Sequence, residues 1–142
     1  MDEKVSLPDQ CTNYNNLTSS TRRYDYQGSK SDWKCDRTGH RNQSPDWNGN
    51  GWYRIQDNAG TRISAKLDTS TRGECGTNRG GHLIGEHPIL SAGETFKQKV
   101  CFWQGYCQDS SFTRVITITN CGTYYVYYLT IISGCNYGYC TE

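Results

Sequence analysis

The stretch Asp46-Trp47-Asn48-Gly49-Asn50-Gly51 sets oxygen-bearing side chains at alternate positions before a glycine, and Asp57 follows at the twelfth position. That spacing matches the opening and closing of a calcium loop. Ca²⁺ gathers about six to eight oxygens, alternate side chains can point at one centre, and glycine permits the sharp bend. Asp46, Asn48, Asn50 and Asp57 are therefore the candidate metal ligands, and Ca²⁺ is the candidate cofactor. Two features oppose a true EF-hand. No helical stripe flanks the loop, and the chain from Gly51 onward reads as strand. The same text is also how ordinary turns are written.

Trp47 lies inside this stretch. An exposed indole offers a flat apolar face to the C–H side of a sugar, while neighbouring Asp and Asn can bond its hydroxyls. Galactose suits such stacking, because its axial hydroxyl leaves one continuous apolar face. On this reading Trp47 stacks, and Asp46, Asn48 and Glu86 hold hydroxyls. The alternative is that Trp47 folds back onto the domain.

The segment His82-Leu83-Ile84-Gly85-Glu86-His87-Pro88 invites a metal or acid–base reading, but its spacing fits neither H-E-x-x-H nor the inverted form. Pro88 argues against a helix carrying the pair, and a structural role is expected for both histidines. Neither a Gly-x-Ser-x-Gly elbow nor a phosphate loop occurs, so no enzyme activity is expected. Two sequons, Asn16-Leu17-Thr18 and Asn42-Gln43-Ser44, could carry N-glycans.

The elements that must position these residues are held by cysteine. Eight cysteines, at 11, 35, 75, 101, 107, 121, 135 and 140, are spread through 142 residues. Zinc pairs usually lie two to four residues apart, and the closest spacings here, Cys101 to Cys107 and Cys135 to Cys140, are wider. An even count of this kind reads as a disulfide framework, which implies a secreted, extracellular protein. Only 34% of residues are apolar and mean hydropathy is −0.84, so bridges must supply what a thin core lacks. Net charge is +1 with both signs scattered, which steers the chain to neither nucleic acid nor anionic membrane. No apolar run approaches the roughly 20 residues of a membrane span. No charged-then-apolar leader opens the chain, which is read as a mature form.

Where apolar periodicity exists, it has period two. Ile116 and Ile118 alternate with Val115, Thr117 and Thr119, a β-rich run covers residues 124–132, and Asn120-Cys121-Gly122-Thr123 supplies the turn between them. A second hairpin is expected from Gly51-Trp52-Tyr53-Arg54-Ile55, turning at residues 57–60 and returning through 61–64. One short helix is expected over residues 91–100, and segments 12–34 and 66–81 read as irregular. The fold class is mainly β: one small, irregular, disulfide-stapled domain with antiparallel hairpins over residues 11–142, after a tail at 1–10.

The order of Cys35-Asp36-Arg37, Gly51-Trp52-Tyr53-Arg54-Ile55, Gly60-Thr61-Arg62-Ile63, Gly85-Glu86-His87-Pro88, Cys121-Gly122-Thr123-Tyr124-Tyr125-Val126-Tyr127-Tyr128-Leu129 and Tyr139-Cys140 resembles a known family. It is the extracellular eight-cysteine domain of uromodulin and of the pancreatic zymogen-granule glycoprotein. The resemblance implies the pairs Cys11–Cys121, Cys35–Cys135, Cys75–Cys140 and Cys101–Cys107. Uromodulin's extra bridge would end near Leu67 and Gln108, and both of its cysteines are absent here. The family's Cys-Asp-Arg segment leads almost directly into Gly-Trp-Tyr-Arg, whereas here residues 38–50 intervene.

Two functions are expected from these readings. One is a secreted lectin for terminal galactose on cell-surface or microbial glycans, ordered by Ca²⁺ and gaining strength as a homo-oligomer. The other is a glycan-bearing decoy or adhesion module of an extracellular glycoprotein.

Overall fold

The computed structural model describes residues 6–65, 72–88, 91–103, 105–130 and 134–142. Seven strands form a single sheet: β1 (Asn15–Leu17), β2 (Gly51–Ile55), β3 (Arg79–Leu83), β4 (Thr95–Cys101), β5 (Thr113–Asn120), β6 (Tyr125–Leu129) and β7 (Tyr137–Tyr139). Their order across the sheet is β1-β2-β6-β5-β4-β3-β7. The helical pieces among the described residues are 3-10 turns of three residues each. The fold is mainly β, as the period-two text implies.

The β5–β6 hairpin forms where its alternation and turn chemistry place it, with Asn120 facing Tyr125 and Thr117 facing Tyr128. Positions 131 and 132 of the expected second strand lie outside the described residues. So do Leu67 and the rest of 66–71.

Two local expectations are corrected. Residues 91–100 do not form a helix. After Gly93, at φ +90°, the chain becomes β4, paired with β5 from Thr95↔Thr119 to Cys101↔Thr113. Thr95, Lys97 and Lys99 are exposed while Phe96, Gln98 and Val100 are covered. This period-two pattern lets a ladder of hydrogen bonds to β5 override the helix preference of Ala, Glu, Gln and Lys.

The second hairpin does not close either. β2 is flanked by β1 in parallel and β6 antiparallel, so no edge is open to a return strand. Residues 57–59 make a 3-10 turn, and Gly60 at φ +98° turns the chain away. Thr61 and Arg62 then donate backbone N–H groups to the Glu142 carbonyl, and Ile63 bridges Thr141. A Cβ on Gly60 would strike that carbonyl, so this position needs glycine.

The main core lies on one face of the sheet and includes Leu17, Tyr53, Ile55, Leu83, Ile116, Ile118, Tyr127, Leu129 and Tyr139. A smaller cluster around Val126 packs on the Cys11–Cys121 bridge. The four disulfides are Cys11–Cys121, Cys35–Cys135, Cys75–Cys140 and Cys101–Cys107, the pairing that the resemblance implies. Three of them join the N-terminal part of the chain, up to Cys75, to its last 22 residues.

Candidate functional site

The inserted segment at 38–50 is held from beneath by a buried charge cluster. Arg22, only 3% exposed, points its guanidinium between two carboxylates. Its Nη1 and Nη2 reach Asp36 at 2.8 and 2.6 Å, while Nε and Nη2 reach Asp46 at 2.9 and 2.7 Å. Asp46 also accepts the backbone N–H groups of Thr18 and Ser19 at 3.0 and 3.2 Å. Asp36, from the Cys-Asp-Arg segment, accepts the Tyr139 N–H at 2.8 Å. Burial works against charge on Asp46, yet the Arg22 guanidinium and these hydrogen bonds outweigh it and hold its pKa below the ordinary range.

This geometry corrects the calcium loop. Both oxygens of Asp46 are committed to Arg22 and to backbone amides, and a guanidinium in contact repels any cation. Asp57 opens the 3-10 turn that follows β2 and is exposed there, outside the set of groups that hold Asp46. Asn48 donates its side-chain amide to Asn15 at 2.8 Å, and Asn50 is exposed where the loop enters β2. Among the described residues, the groups of three or more ligating side chains are Cys35–His40–Cys135 and Cys75–His82–Cys140. Each group has its two cysteines tied in a disulfide.

Trp47 folds back, and its stacking role is corrected with it. The residue is 3% exposed, and its ring lies parallel to Tyr53, with centroids 5.0 Å apart. Tyr139 lies beyond at 6.2 Å. The Tyr53 hydroxyl accepts the Asn48 N–H at 2.7 Å and donates to the Gly49 carbonyl at 2.6 Å. The insertion is thus a plug on the core, with no face of Trp47 left for a sugar.

Glu86 is exposed, outside the charge cluster. His87 is half-buried, with Nε2 2.7 Å from the Tyr127 hydroxyl. Burial, with Arg62 nearby, lowers its pKa to about 4. His82 belongs to a constellation that the sequence did not disclose: Ser64 Oγ lies 2.9 Å from His82 Nδ1, and His82 Nε2 lies 2.9 Å from Glu74 Oε1. The order is that of a hydrolase triad. However, Ser64 and His82 are 0% exposed and Glu74 is 5% exposed, so no substrate can reach the hydroxyl. The trio serves as a polar clamp beside the Cys75–Cys140 bridge. A Cβ on neighbouring Gly80 would run into Cys140 Sγ, so glycine lets the bridge approach.

An open concave site lies elsewhere, where β2 leaves the sheet and β6 enters it. A cleft of about 430 Å³ is lined by Arg54, Gln56, Asp57, Arg62, Asn120, Thr123, Tyr124 and Tyr125, among others. One wall is the 57–62 turn, and the other is the β5–β6 turn, where Gly122 donates its N–H to Asn120 Oδ1 at 2.8 Å. The Arg54 guanidinium lies 3.7 Å from the centroid of the Tyr124 ring and donates to the Tyr14 hydroxyl at 3.1 Å. Of the sequence-predicted residues, only Asp57 lines this cleft. Convergent charged and amide groups beside two half-buried aromatic rings suit a small polar ligand.

A family model, described as the uromodulin-like eight-cysteine domain, matches residues 53–141. The inserted segment therefore lies wholly before the matched region. The chain is 30% identical to uromodulin of Mus musculus over 142 residues, covering 99% of this chain and 20% of that protein. To uromodulin of Rattus norvegicus it is 30% identical over 140 residues, 98% of this chain and 19% of that protein. Pancreatic secretory granule membrane major glycoprotein GP2 of Homo sapiens shares 35% identity over 99 residues, 70% of this chain and 18% of that protein. The chain spans about a fifth of the length of these relatives.

Proposed function

The chain belongs to the family of uromodulin-like eight-cysteine domains, and from that premise we propose that it is a secreted carbohydrate-binding protein, a lectin, with terminal galactose as its leading ligand. The observation supporting this reading is the cleft between the 57–62 turn and the β5–β6 turn. It combines hydroxyl-binding groups (Asp57, Asn120, Thr123) with the rings of Tyr124 and Tyr125. Arg54 already covers one face of Tyr124, so galactose would lay its apolar face on the Tyr125 ring while its hydroxyls meet the polar wall. Four internal disulfides fit an oxidising, extracellular setting, and no helix among the described residues is long and apolar enough to cross a membrane. The partners are cell-surface or microbial glycans, and self-association would multiply weak single-site binding.

A glycan array on unglycosylated, oxidised protein tests this reading, run with Ca²⁺ and again with EDTA. Selective retention of galactose-terminated glycans supports it, and no binding by protein of verified fold sinks it. With Asp46 committed to Arg22, EDTA should leave binding unchanged. Loss of binding in EDTA would assign a calcium ion to other residues.

One observation favours the second reading, a glycan-bearing adhesion module. Asn16 is exposed on the edge strand β1, where an N-glycan would project without disturbing the core. Asn42 is half-buried within the insertion, with its backbone held by His40 Nδ1 and by the Cys35 N–H. Microbial adhesion that requires glycosylated protein and is lost in Asn16→Gln would favour the module over the lectin.

A further inference from the structure

The cleft's charges are not evenly matched. Two guanidiniums and one carboxylate line it. Arg62 is answered by Glu142, with Nε 2.7 Å from Oε1. Arg54 has no carboxylate partner among the described residues. Its contacts among the described residues are the Tyr14 hydroxyl and the faces of Tyr124 and Tyr14; its Nε–H is buried with no acceptor among those residues, which leaves the Nη groups as the ones a ligand would meet. Its seat over the Tyr124 ring and its bond to the Tyr14 hydroxyl hold the guanidinium in place in advance. A pre-set planar fork is what a carboxylate or sulfate oxygen pair requires.

We propose that the cleft takes a saccharide bearing an anionic substituent, a carboxylate or a sulfate ester, received by Arg54. Asp57 stands in the same cleft, exposed at the turn, and opposes such a ligand by like charge. This assignment rests on the lectin reading above and names the class of sugar that the site prefers. It also gives Asp57 and Arg54 opposite signs of effect, which a purely structural role for either would not do.

The test is calorimetric titration of the disulfide-intact protein with lactose, 3′-sialyllactose and 3′-sulfated lactose, at low and high salt. The wild-type protein should bind at least one acidic sugar roughly tenfold or more tighter than lactose, with the advantage shrinking as salt rises. A preference for the sialylated sugar identifies the carboxylate as the source, and a preference for the sulfated one identifies the ester. Arg54→Lys should abolish the advantage, its thermal midpoint showing that the fold is kept. Asp57→Asn is the second variant. Its backbone sits at φ +56°, a conformation that Asn tolerates, and it should strengthen acidic-sugar binding while weakening or leaving lactose binding. Equal affinity for lactose and both acidic sugars overturns the anionic assignment and leaves the lectin. Weaker acidic-sugar binding in Asp57→Asn overturns it as well. Absence of binding to any sugar overturns both readings.

Discussion

Replacing Asp46 with alanine should destabilise the whole domain, and by the same amount with or without calcium. The carboxylate takes Arg22 Nε at 3.0 and 2.9 Å, Arg22 Nη2 at 2.7 Å, and the Thr18 and Ser19 amides at 3.0 and 3.2 Å. Its removal strips these donors of their partner beneath a nearly sealed surface. Breaking a buried pair costs about 3–5 kcal/mol, because the surviving charge stays desolvated. Asp36 still holds Arg22 through two bonds, which places the loss near the lower end, about 3 kcal/mol. That is a large share of a domain's usual stability of about 5–15 kcal/mol. At this chain length it should lower the thermal midpoint by roughly 10 °C. Urea denaturation is the assay, since guanidinium chloride would screen the cluster under study. Melts in CaCl₂ and in EDTA should coincide. A loss under about 1 kcal/mol, or one confined to the calcium series, would refute the buried-latch account.

Three other outcomes follow from the same geometry, beginning with pH. His87, with a folded pKa of about 4 against about 6.5 unfolded, binds fewer protons when folded. Stability should therefore fall as pH drops below 6.5 and level off near 4, by about 2 kcal/mol once solvent screening of a half-buried ring is allowed for. His87→Gln should flatten that stretch in pH-dependent melts, and an unchanged slope would show that another group is responsible. Asp46, with its lowered pKa, adds stability that is present above the ordinary value of 3.8 and drains as pH falls beneath it. Removing the Cys101–Cys107 bridge should cost roughly 2 kcal/mol and removing Cys11–Cys121 roughly 5 kcal/mol, because the loops they close span 6 and 110 residues; equal losses in paired alanine variants would contradict the loop-length account. A fluorophosphonate probe should leave Ser64 unlabelled in the native protein, and labelling seen by peptide mass analysis would mean that the buried trio opens to solvent.

The readable parts of the sequence were those with a local or covalent signature. Residues 113–129 show period-two alternation broken by Asn-Cys-Gly-Thr, and the hairpin forms there. The cysteine order carries the family resemblance, and through it the bridge pattern. What the sequence hid depends on distant partners. Residues 91–100 have helix-favouring side chains, and only β5 alongside makes them a strand. Asp46 and Trp47 sit in text that suits a calcium loop or a sugar platform. Arg22, in a stretch that reads as featureless, and Tyr53, a strand residue, claim them instead. Ser64, His82 and Glu74 have no motif spacing in the chain. The cleft draws on residues from 54 to 125, and nothing local marks them as neighbours, although Arg54 and Tyr124 both fall within the resemblance to the family.

The placement of the bridges also sets a timetable for synthesis. Cys11, Cys35 and Cys75 must wait for partners 110, 100 and 65 residues downstream. At about 5–20 residues per second, the Cys11 thiol stays unpaired for roughly 6–20 s while the chain lengthens. Between the synthesis of Cys75 and that of Cys101, three reactive thiols share a nascent chain that has not yet received β5, β6 or β7. Early contacts can pair them wrongly with one another, and only thiol–disulfide exchange can undo the error. Yield of native protein should therefore depend on an oxidoreductase able to reshuffle bridges, far more than on the rate at which thiols are first oxidised.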